Sequence, residues 1–407
     1  MKKKTNSHEQ IKIIEKPTGF TLKEVAIIVM ITAVVGTLNG SIMTAFAIKE
    51  EKNNPSETQV YTDTNLKEFA ETYEAIKNNF YKEVDSQNLI DGAIDGMVKK
   101  LDDPHSSYFT KEELKNFSAQ LSGDYQGIGA GIGIKEDGTI YITKIFNDSP
   151  AYKAGLHPED IIQKVNKKET TGKSTKEVSD MIKGEQGTTV TLEIKRKEQT
   201  LTFEIKRDTV ELDSVYHQII EHNNKKVGYL FIESFAQNTA TQFEKALKDI
   251  EKQKVDSIII DVRSDPGGYL HIVQTMAEQI IPKGKPIYQI KQKDKINKYE
   301  STGDSHMKTP IFVLINENSA SAAEILTLAL KESYGATIIG KTSYGKGTVQ
   351  EVHNLTSGGM VKYTTKEWLS PNGNSINEKG IQPDIEVDIT DTNEDSQLNR
   401  ALEEATK

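Results

Sequence analysis

Chemistry has few places to sit in this chain, and the first is a run of small residues that follows an apolar strand pattern. It reads Val313-Leu314-Ile315-Asn316-Glu317-Asn318-Ser319-Ala320-Ser321-Ala322-Ala323-Glu324. The small residues begin a helix, so a serine among them stands in the positive field of a helix N-terminus with unpaired N–H donors nearby. An acyl-transfer nucleophile needs that setting, because a negative oxygen develops beside it in the tetrahedral intermediate. Ser319 and Ser321 both fit, and each fits an ordinary N-cap as well.

Two further runs bear on the same chemistry. Ile260-Asp261-Val262-Arg263-Ser264-Asp265-Pro266-Gly267-Gly268 carries a buried strand into a Pro-Gly-Gly turn before a helix. Such a turn can leave backbone N–H groups open to a ligand, as an oxyanion hole, or serve only as a turn. Tyr344-Gly345-Lys346-Gly347-Thr348-Val349-Gln350 enters an extended segment in which residues 346, 348 and 350 share a face. Lys346 can act as a general base only if burial lowers its pKa from about 10.4, and a solvated turn lysine is the plain alternative. His271 has no pattern that makes it converge on Ser321, which argues against a Ser-His arrangement. No His-Glu-x-x-His pattern or other ligand cluster points to a metal, and no cofactor motif is present. Without cysteine, disulfides, thiolate metal sites and a cysteine nucleophile are excluded.

The elements that must hold these runs alternate between strand and helix from residue 209 to about residue 389. Val227–Phe231, Ser257–Val262, Pro310–Ile315 and Ala336–Ile339 are β-rich, and Thr239–Lys252, Leu270–Ile281 and Ser321–Glu332 are helical, an α/β pattern with crossovers. Residues 390–407 read as an acidic surface helix or tail. From residue 123 to 208 the rhythm is that of short strands and turns, a half-open β-barrel with two helices. It opens on the glycine-rich loop Gly127-Ile128-Gly129-Ala130-Gly131-Ile132 and includes a short helix from Ser149-Pro150-Ala151 to Gly155. Residues 49–122 form a tether and a helical region. Leu66, Phe69, Tyr73, Ile76 and Phe80 recur at helical spacing there, and Thr110 with Glu113 makes a capping box that opens a third helix.

Val25 to Ile48 is an uncharged run long enough to cross a bilayer, which takes about 20 apolar residues. Lys2, Lys3, Lys4, Lys12, Lys16 and Lys23 precede it, so residues 1–24 are expected in the cytoplasm, residues 25–48 in the membrane and the rest outside. Ala45-Phe46-Ala47 resembles a signal peptidase site and offers the alternative of a released enzyme. The 51 basic and 60 acidic residues are interspersed, so the sequence offers no basic surface for nucleic acid.

Taken together, several of these runs resemble the C-terminal processing peptidases, also called tail-specific proteases. The resemblance rests on Leu101-Asp102-Asp103-Pro104-His105-Ser106-Ser107-Tyr108, Gly127-Ile128-Gly129, Ser149-Pro150-Ala151 with Ala154-Gly155-Leu156, and Asp261 to Gly268. It extends to Ser319 to Glu324, Gly345 to Gln350, and Gly380-Ile381-Gln382-Pro383-Asp384. It implies an α+β multidomain chain: one transmembrane helix, a helical N-terminal region, a PDZ β-barrel-like domain and an α/β crotonase/ClpP-like protease core. It also implies that Ser321 is the nucleophile, Lys346 the general base and Gln350 the residue orienting that lysine. Ser319 would then only start the helix, and the N–H groups of Gly267, Gly268 and Ala322 would form the oxyanion hole. The glycine-rich loop would receive the terminal carboxylate of a protein or peptide tail that adds as a strand along Ile128 to Ile134. A homodimer through the N-terminal helices is implied in the same way. Two positions depart from the pattern: Ala323 stands where many relatives have serine, and Lys183 where relatives often have an arginine that couples the two domains. Lysine cannot reproduce bidentate arginine contacts. The other classes to weigh are a tail-binding scaffold without proteolysis and a crotonase-like acyl-CoA enzyme.

Overall fold

The computed structural model describes residues 64–388 and 394–407. The expected cytoplasmic stretch, the membrane segment Val25 to Ile48, the Ala45-Phe46-Ala47 site and most of the tether lie outside these residues. Among the described residues, no helix is long and apolar enough to cross a membrane. The chain falls into two compact units, Met1–Leu89 and Ile90–Lys407.

In the first unit, helix α1 (Thr64–Asn79) carries Leu66, Phe69 and Ile76 at the expected spacing, and all three stay exposed, as does Phe80 just beyond. The Asp85 carboxylate accepts from the N–H groups of Gln87 and Asn88 at 2.8 and 3.1 Å, which starts helix α2 (Ser86–Lys99).

The second unit continues with strand β1 (Ser107–Phe109) and helix α3 (Lys111–Ser122). Thr110 and Glu113 close the expected capping box there, each side chain taking the other's N–H.

The barrel follows as β2 (Asp124–Gly127), β3 (Ala130–Ile134), β4 (Ile140–Ile145), α4 (Pro150–Ala154), β5 (Ile161–Val165), β6 (Lys168–Glu169), α5 (Thr175–Ile182), β7 (Thr189–Arg196), β8 (Gln199–Lys206) and β9 (Asp208–Glu211). Strands β3, β4, β5, β7 and β8 make one antiparallel sheet in that order, with β6 on β5, while β2 pairs with β9. Alternation turns Ile140, Ile142, Val190, Leu192 and Ile194 inward onto Val178 and Ile182 of α5. Ser149 caps α4, and Gly155 ends it in the left-handed region at φ 80.

The α/β region begins with β10 (Val215–His222) and β11 (Lys225–Ile232), joined through Asn223 and Asn224 at φ 49 and 60 in the tight turn that suits a hairpin. Then come α6 (Thr239–Lys252), β12 (Ser257–Asp261), α7 (Leu270–Glu278), β13 (Pro286–Gln292), β14 (Lys295–Glu300), β15 (Ile311–Ile315), α8 (Ala322–Ala329), β16 (Thr337–Gly340), β17 (Thr348–Asn354), β18 (Met360–Leu369), β19 (Ile385–Glu386) and α9 (Ser396–Ala405). The main sheet runs β10-β11-β12-β15-β16-β19, parallel from β11 onward. Both faces are covered, so β12 is buried at every residue. Ile258 and Ile260 pack with α6, α7 and α8, whereas Ile259 packs with α9.

Two features go beyond the expected pattern. A second, antiparallel sheet runs β1-β18-β13-β14, with β17 also on β18. The charged run of β14 conceals its strand character, because that strand lies exposed on the edge. The C-terminal segment is more than a surface tail: Ala401, Leu402 and Ala405 of α9 close one face of the main sheet. Its apolar residues recur at helical spacing among charges, and Asp395 caps the helix through the Leu398 N–H.

Candidate active site

Because β12 and β15 are parallel neighbours, their C-terminal ends open at the same edge, and both problem turns meet there. Such edges are where open α/β sheets bind ligands. Ser321 caps α8 at φ 54 and ψ −110, a conformation that costs a non-glycine residue on the order of 1–3 kcal/mol. The helix behind it is buried along its whole length, which fixes the turn against relaxation.

Ser319 has a different task. It is fully buried, its hydroxyl donates to the Val262 carbonyl at 2.7 Å, and it accepts from the Asn316 N–H at 3.0 Å. It therefore ties the ends of β12 and β15 together and stands two residues ahead of the helix cap, not at the helix start. Of the two serines, only Ser321 is partly accessible.

The Pro-Gly-Gly turn touches the Ser321 turn directly. A Cβ at Gly267, at φ 96, would lie 2.8 Å from the Ala320 carbonyl oxygen, 2.9 Å from the Ala322 nitrogen and 2.9 Å from Ser321 Cβ. A Cβ at Gly268 would fall 2.2 Å from the Phe235 carbonyl oxygen. Only glycine fits either place. The expected donors divide, however. The Gly267 N–H donates to Asp265 Oδ1 at 2.8 Å and so faces away from a substrate. Gly268 and Ala322, the first residue of α8, supply the N–H groups without such an acceptor among the described residues. Asp265 is itself fully buried with Oδ2 unpartnered, and burial pushes its carboxyl well above the usual range.

Below this turn, Arg263 joins Asp261 and Asp395, both at 2.7 Å, and the Tyr229 hydroxyl donates to Asp261. This network anchors the strand end from which the turn departs.

Glu324 joins the serine turn to the lysine loop. It is fully buried, with Oε2 accepting from the Ser321 N–H at 2.8 Å and the Lys346 N–H at 3.0 Å. Oε1 accepts from the Gly345 N–H at 2.7 Å and the Ser343 hydroxyl at 2.5 Å. Burial pushes this carboxyl up, and the four hydrogen bonds pull it back. The link that Glu324 makes between the two loops is not legible in the sequence. A signal was present, since Ser-x-x-Glu is a capping box, but a box satisfies only the local donor.

Lys346 is half-buried, and its loop is packed so closely that both flanking glycines are required. A Cβ at Gly345 would lie 2.7 Å from the Gly380 nitrogen, and one at Gly347 2.7 Å from Asn377 Cβ. Trp368, also buried, donates its indole N–H to the Lys346 carbonyl at 2.7 Å. Burial, then the nearby Lys362 charge, lowers the Lys346 pKa, while Asp103 and Glu324 oppose the shift. Gln350 donates its amide N–H to Thr348 Oγ1 at 3.0 Å and Thr364 Oγ1 at 3.1 Å, so 348 and 350 do share a face. Both of its side-chain hydrogen bonds go to these threonines, and among the described residues none joins it to Lys346. The Asp103-Pro104-His105-Ser106 turn comes to the same place: Ser106 donates to Asp103 at 2.6 Å and accepts from the Thr364 N–H at 3.2 Å.

These neighbours set a pH expectation. A lysine base works only when neutral, so the base role that the resemblance implies for Lys346 predicts activity that rises with pH through its depressed pKa. Lys362→Gln removes a cation that lowers that pKa, and the rising limb of the kcat/KM profile should move to higher pH. An unmoved limb would dissociate Lys362 from the lysine's titration.

His271 is an exposed residue of α7 beside the Tyr269 ring, and among the described residues no hydrogen bond joins its side chain to Ser321. In the barrel, Ile128 is buried, and Gly129 at φ 78 leaves no room for a side chain, whose Cβ would fall 2.2 Å from Ser149 Cβ. Gly127 ends β2, Ile128 and Gly129 turn the chain, and Ala130, Gly131 and Ile132 lie in β3, which forms the edge of its sheet. Lys183 is the C-terminal cap of α5.

A main sheet whose neighbouring strand ends meet at a serine-bearing helix start, preceded by a barrel with an open edge, is the architecture of a PDZ-bearing peptidase. The chain belongs to peptidase family S41: residues 226–387 match Peptidase family S41, residues 127–206 match PDZ domain, and residues 30–113 match Activating protease CtpB N-terminal domain. It is 39% identical over 328 residues to carboxy-terminal processing protease CtpB of Bacillus subtilis (strain 168), covering 80% of this chain and 68% of that protein. It is 37% identical over 368 residues to carboxy-terminal processing protease CtpA of the same organism, covering 89% and 77%. A probable CtpA-like serine protease of Staphylococcus epidermidis is 36% identical over 364 residues, covering 88% and 71%.

Proposed function

We propose that this peptidase is a serine endopeptidase that captures C-terminal tails on its PDZ domain and cleaves by a Ser-Lys mechanism. Neutral Lys346 accepts the Ser321 proton as Oγ attacks a peptide carbonyl, the Gly268 and Ala322 N–H groups hold the oxyanion, Lys346 returns the proton to the leaving amine, and water releases the acyl group. The Gln350 amide oxygen orients the lysine. The observation that carries this reading is the Glu324 carboxylate, which binds the N–H of Ser321 and the N–H of Lys346 with one oxygen.

Tail recognition is supported by the open β3 edge beside the glycine loop and by relatives named for carboxy-terminal processing. The uncharged run Val25 to Ile48 behind a lysine-rich start supports a single-pass membrane anchor with the peptidase outside the cytoplasm. The N-terminal helices are then the surface for a homodimer.

The test is cleavage by the full chain of one unfolded protein bearing either an apolar tail with a free carboxylate or the same tail blocked as an amide. Loss of only the free-tailed substrate is expected. Equal loss of both would remove tail recognition, and loss of neither would leave a PDZ scaffold without proteolysis.

A further inference from the structure

Two adjacent glycines are the freest stretch of backbone a chain can have, and a hydrogen-bond donor built on them stays aimed only if its neighbours hold it. Gly267 is held on both sides. Its N–H donates to Asp265 Oδ1 at 2.8 Å, and its carbonyl accepts from the Phe235 N–H at 3.0 Å. The peptide bonds of the described residues are all trans. The Gly268 N–H, on the far side of the same peptide plane, therefore points away from Phe235. Asp265 also reaches the serine turn, because its carbonyl accepts from the Ala320 N–H at 3.0 Å, one residue before Ser321. Ser319 and Asn316 tie the two strand ends together through Val262 and Ser264, but neither bonds to Gly267.

The Asp265 side chain is fully buried, Oδ1 takes the Gly267 N–H, and Oδ2 has no partner. A carboxyl enclosed in this way favours its neutral form: burial raises its pKa well above the usual range, and the Glu233 charge acts in the same direction. A neutral acceptor holds the glycine without setting a negative charge behind the place where the oxyanion develops.

We infer that Asp265 is a positioning residue of the peptidase reaction, whose Oδ1 locks the Gly267 N–H and so keeps the Gly268 N–H aimed at the oxyanion. The inference rests on Ser321 as the nucleophile. Asp265 acts through Gly267 and touches no reacting atom. Without its oxygen, the Gly267 N–H is stranded in a buried turn, and the glycine rotates to pair it, carrying the Gly268 N–H out of line.

The test compares Asp265→Ala, Asp265→Cys and Asp265→Asn in the full chain. Cysteine fills nearly the space of aspartate with only a weak acceptor, so it serves if the alanine cavity prevents folding, and asparagine keeps a carbonyl oxygen for the Gly267 N–H. Measured are kcat and KM on a fluorogenic unstructured peptide, the urea midpoint, and calorimetric binding of a peptide boronic acid, whose tetrahedral adduct on Ser321 presents an oxygen to the hole. Alanine and cysteine should lower kcat and boronate affinity about 30-fold, part of the 10²-fold or more that loss of a whole oxyanion donor costs, with KM within about two-fold of the parent. Asparagine should recover about ten-fold or more of each loss. A merely structural residue would lower the urea midpoint and leave kcat and boronate affinity of the folded protein within about three-fold of the parent, and that result would overturn the inference. An asparagine variant as slow as the cysteine one would overturn it too. A parent that binds the boronate no tighter than Ser321→Ala does would remove the nucleophile assignment, and the Asp265 inference with it.

Discussion

Ser321→Ala should lower cleavage of an unfolded protein by on the order of 10⁴-fold or more, and Lys346→Ala should lower it by a similar factor. The two effects are expected to overlap. Nucleophile and base act in one step, so the double variant should be little worse than either single one. Neither change should unfold the chain. Ser321 already sits in a strained backbone conformation that alanine can occupy at similar cost, and the Glu324 bonds to the 321 and 346 positions come from backbone N–H groups, which survive both substitutions. Rates from purified variants, with denaturant midpoints measured beside them, separate lost chemistry from lost fold. Multiplicative losses in the double variant would mean that the two residues act independently.

Glu324→Gln should be the most damaging change outside the reacting groups. Each carboxylate oxygen accepts from two donors, so whichever oxygen becomes an NH₂ group meets at least one backbone N–H with nothing to accept it. Stranding a buried donor costs about 1–3 kcal/mol each, and the site is fully enclosed. We expect a loss of about 3 kcal/mol in stability. A fall in kcat on the order of 10²-fold should accompany it, since that follows from misplacing reacting groups by about an ångström. Urea unfolding and kcat on the same samples check both effects. A stable Gln variant with reduced kcat would assign Glu324 to positioning alone, and one with full activity would remove it from the site.

What could be read from the sequence was mostly local. The capping pair Thr110 and Glu113, the Ser149 to Gly155 helix and the β12 run into Pro-Gly-Gly each declare themselves within a few residues, because caps and turns are short-range chemistry. The features that needed structure join distant segments. Ser319 and Ser321 are equivalent by composition, and it is the full burial of Ser319 with its bonds to Val262 and Asn316 that separates a structural tie from the accessible serine proposed as nucleophile. Glu324 reads as a local cap, while three of its partners, Ser343, Gly345 and Lys346, lie on a loop 19 to 22 residues further along the chain. Burial of Lys346 comes from residues 377–380 closing on its glycines, which no spacing rule reports. The Gly267 amide was expected to face substrate, but the neighbouring Asp265 carboxyl takes it. The α9 helix looked like a tail because its charges mask an apolar stripe that has a partner only once the sheet exists.

The proposed mechanism has Ser321 carry the acyl group and Lys346 take the proton of its hydroxyl. It is tested most directly by acid-quenching the full chain during its first turnover of an activated peptide ester and measuring the intact mass, followed by fragmentation. A peptidyl adduct on Ser321 is expected, absent from the Ser321→Ala and Lys346→Ala variants. An adduct on any other residue, or turnover that persists in Ser321→Ala, would contradict it.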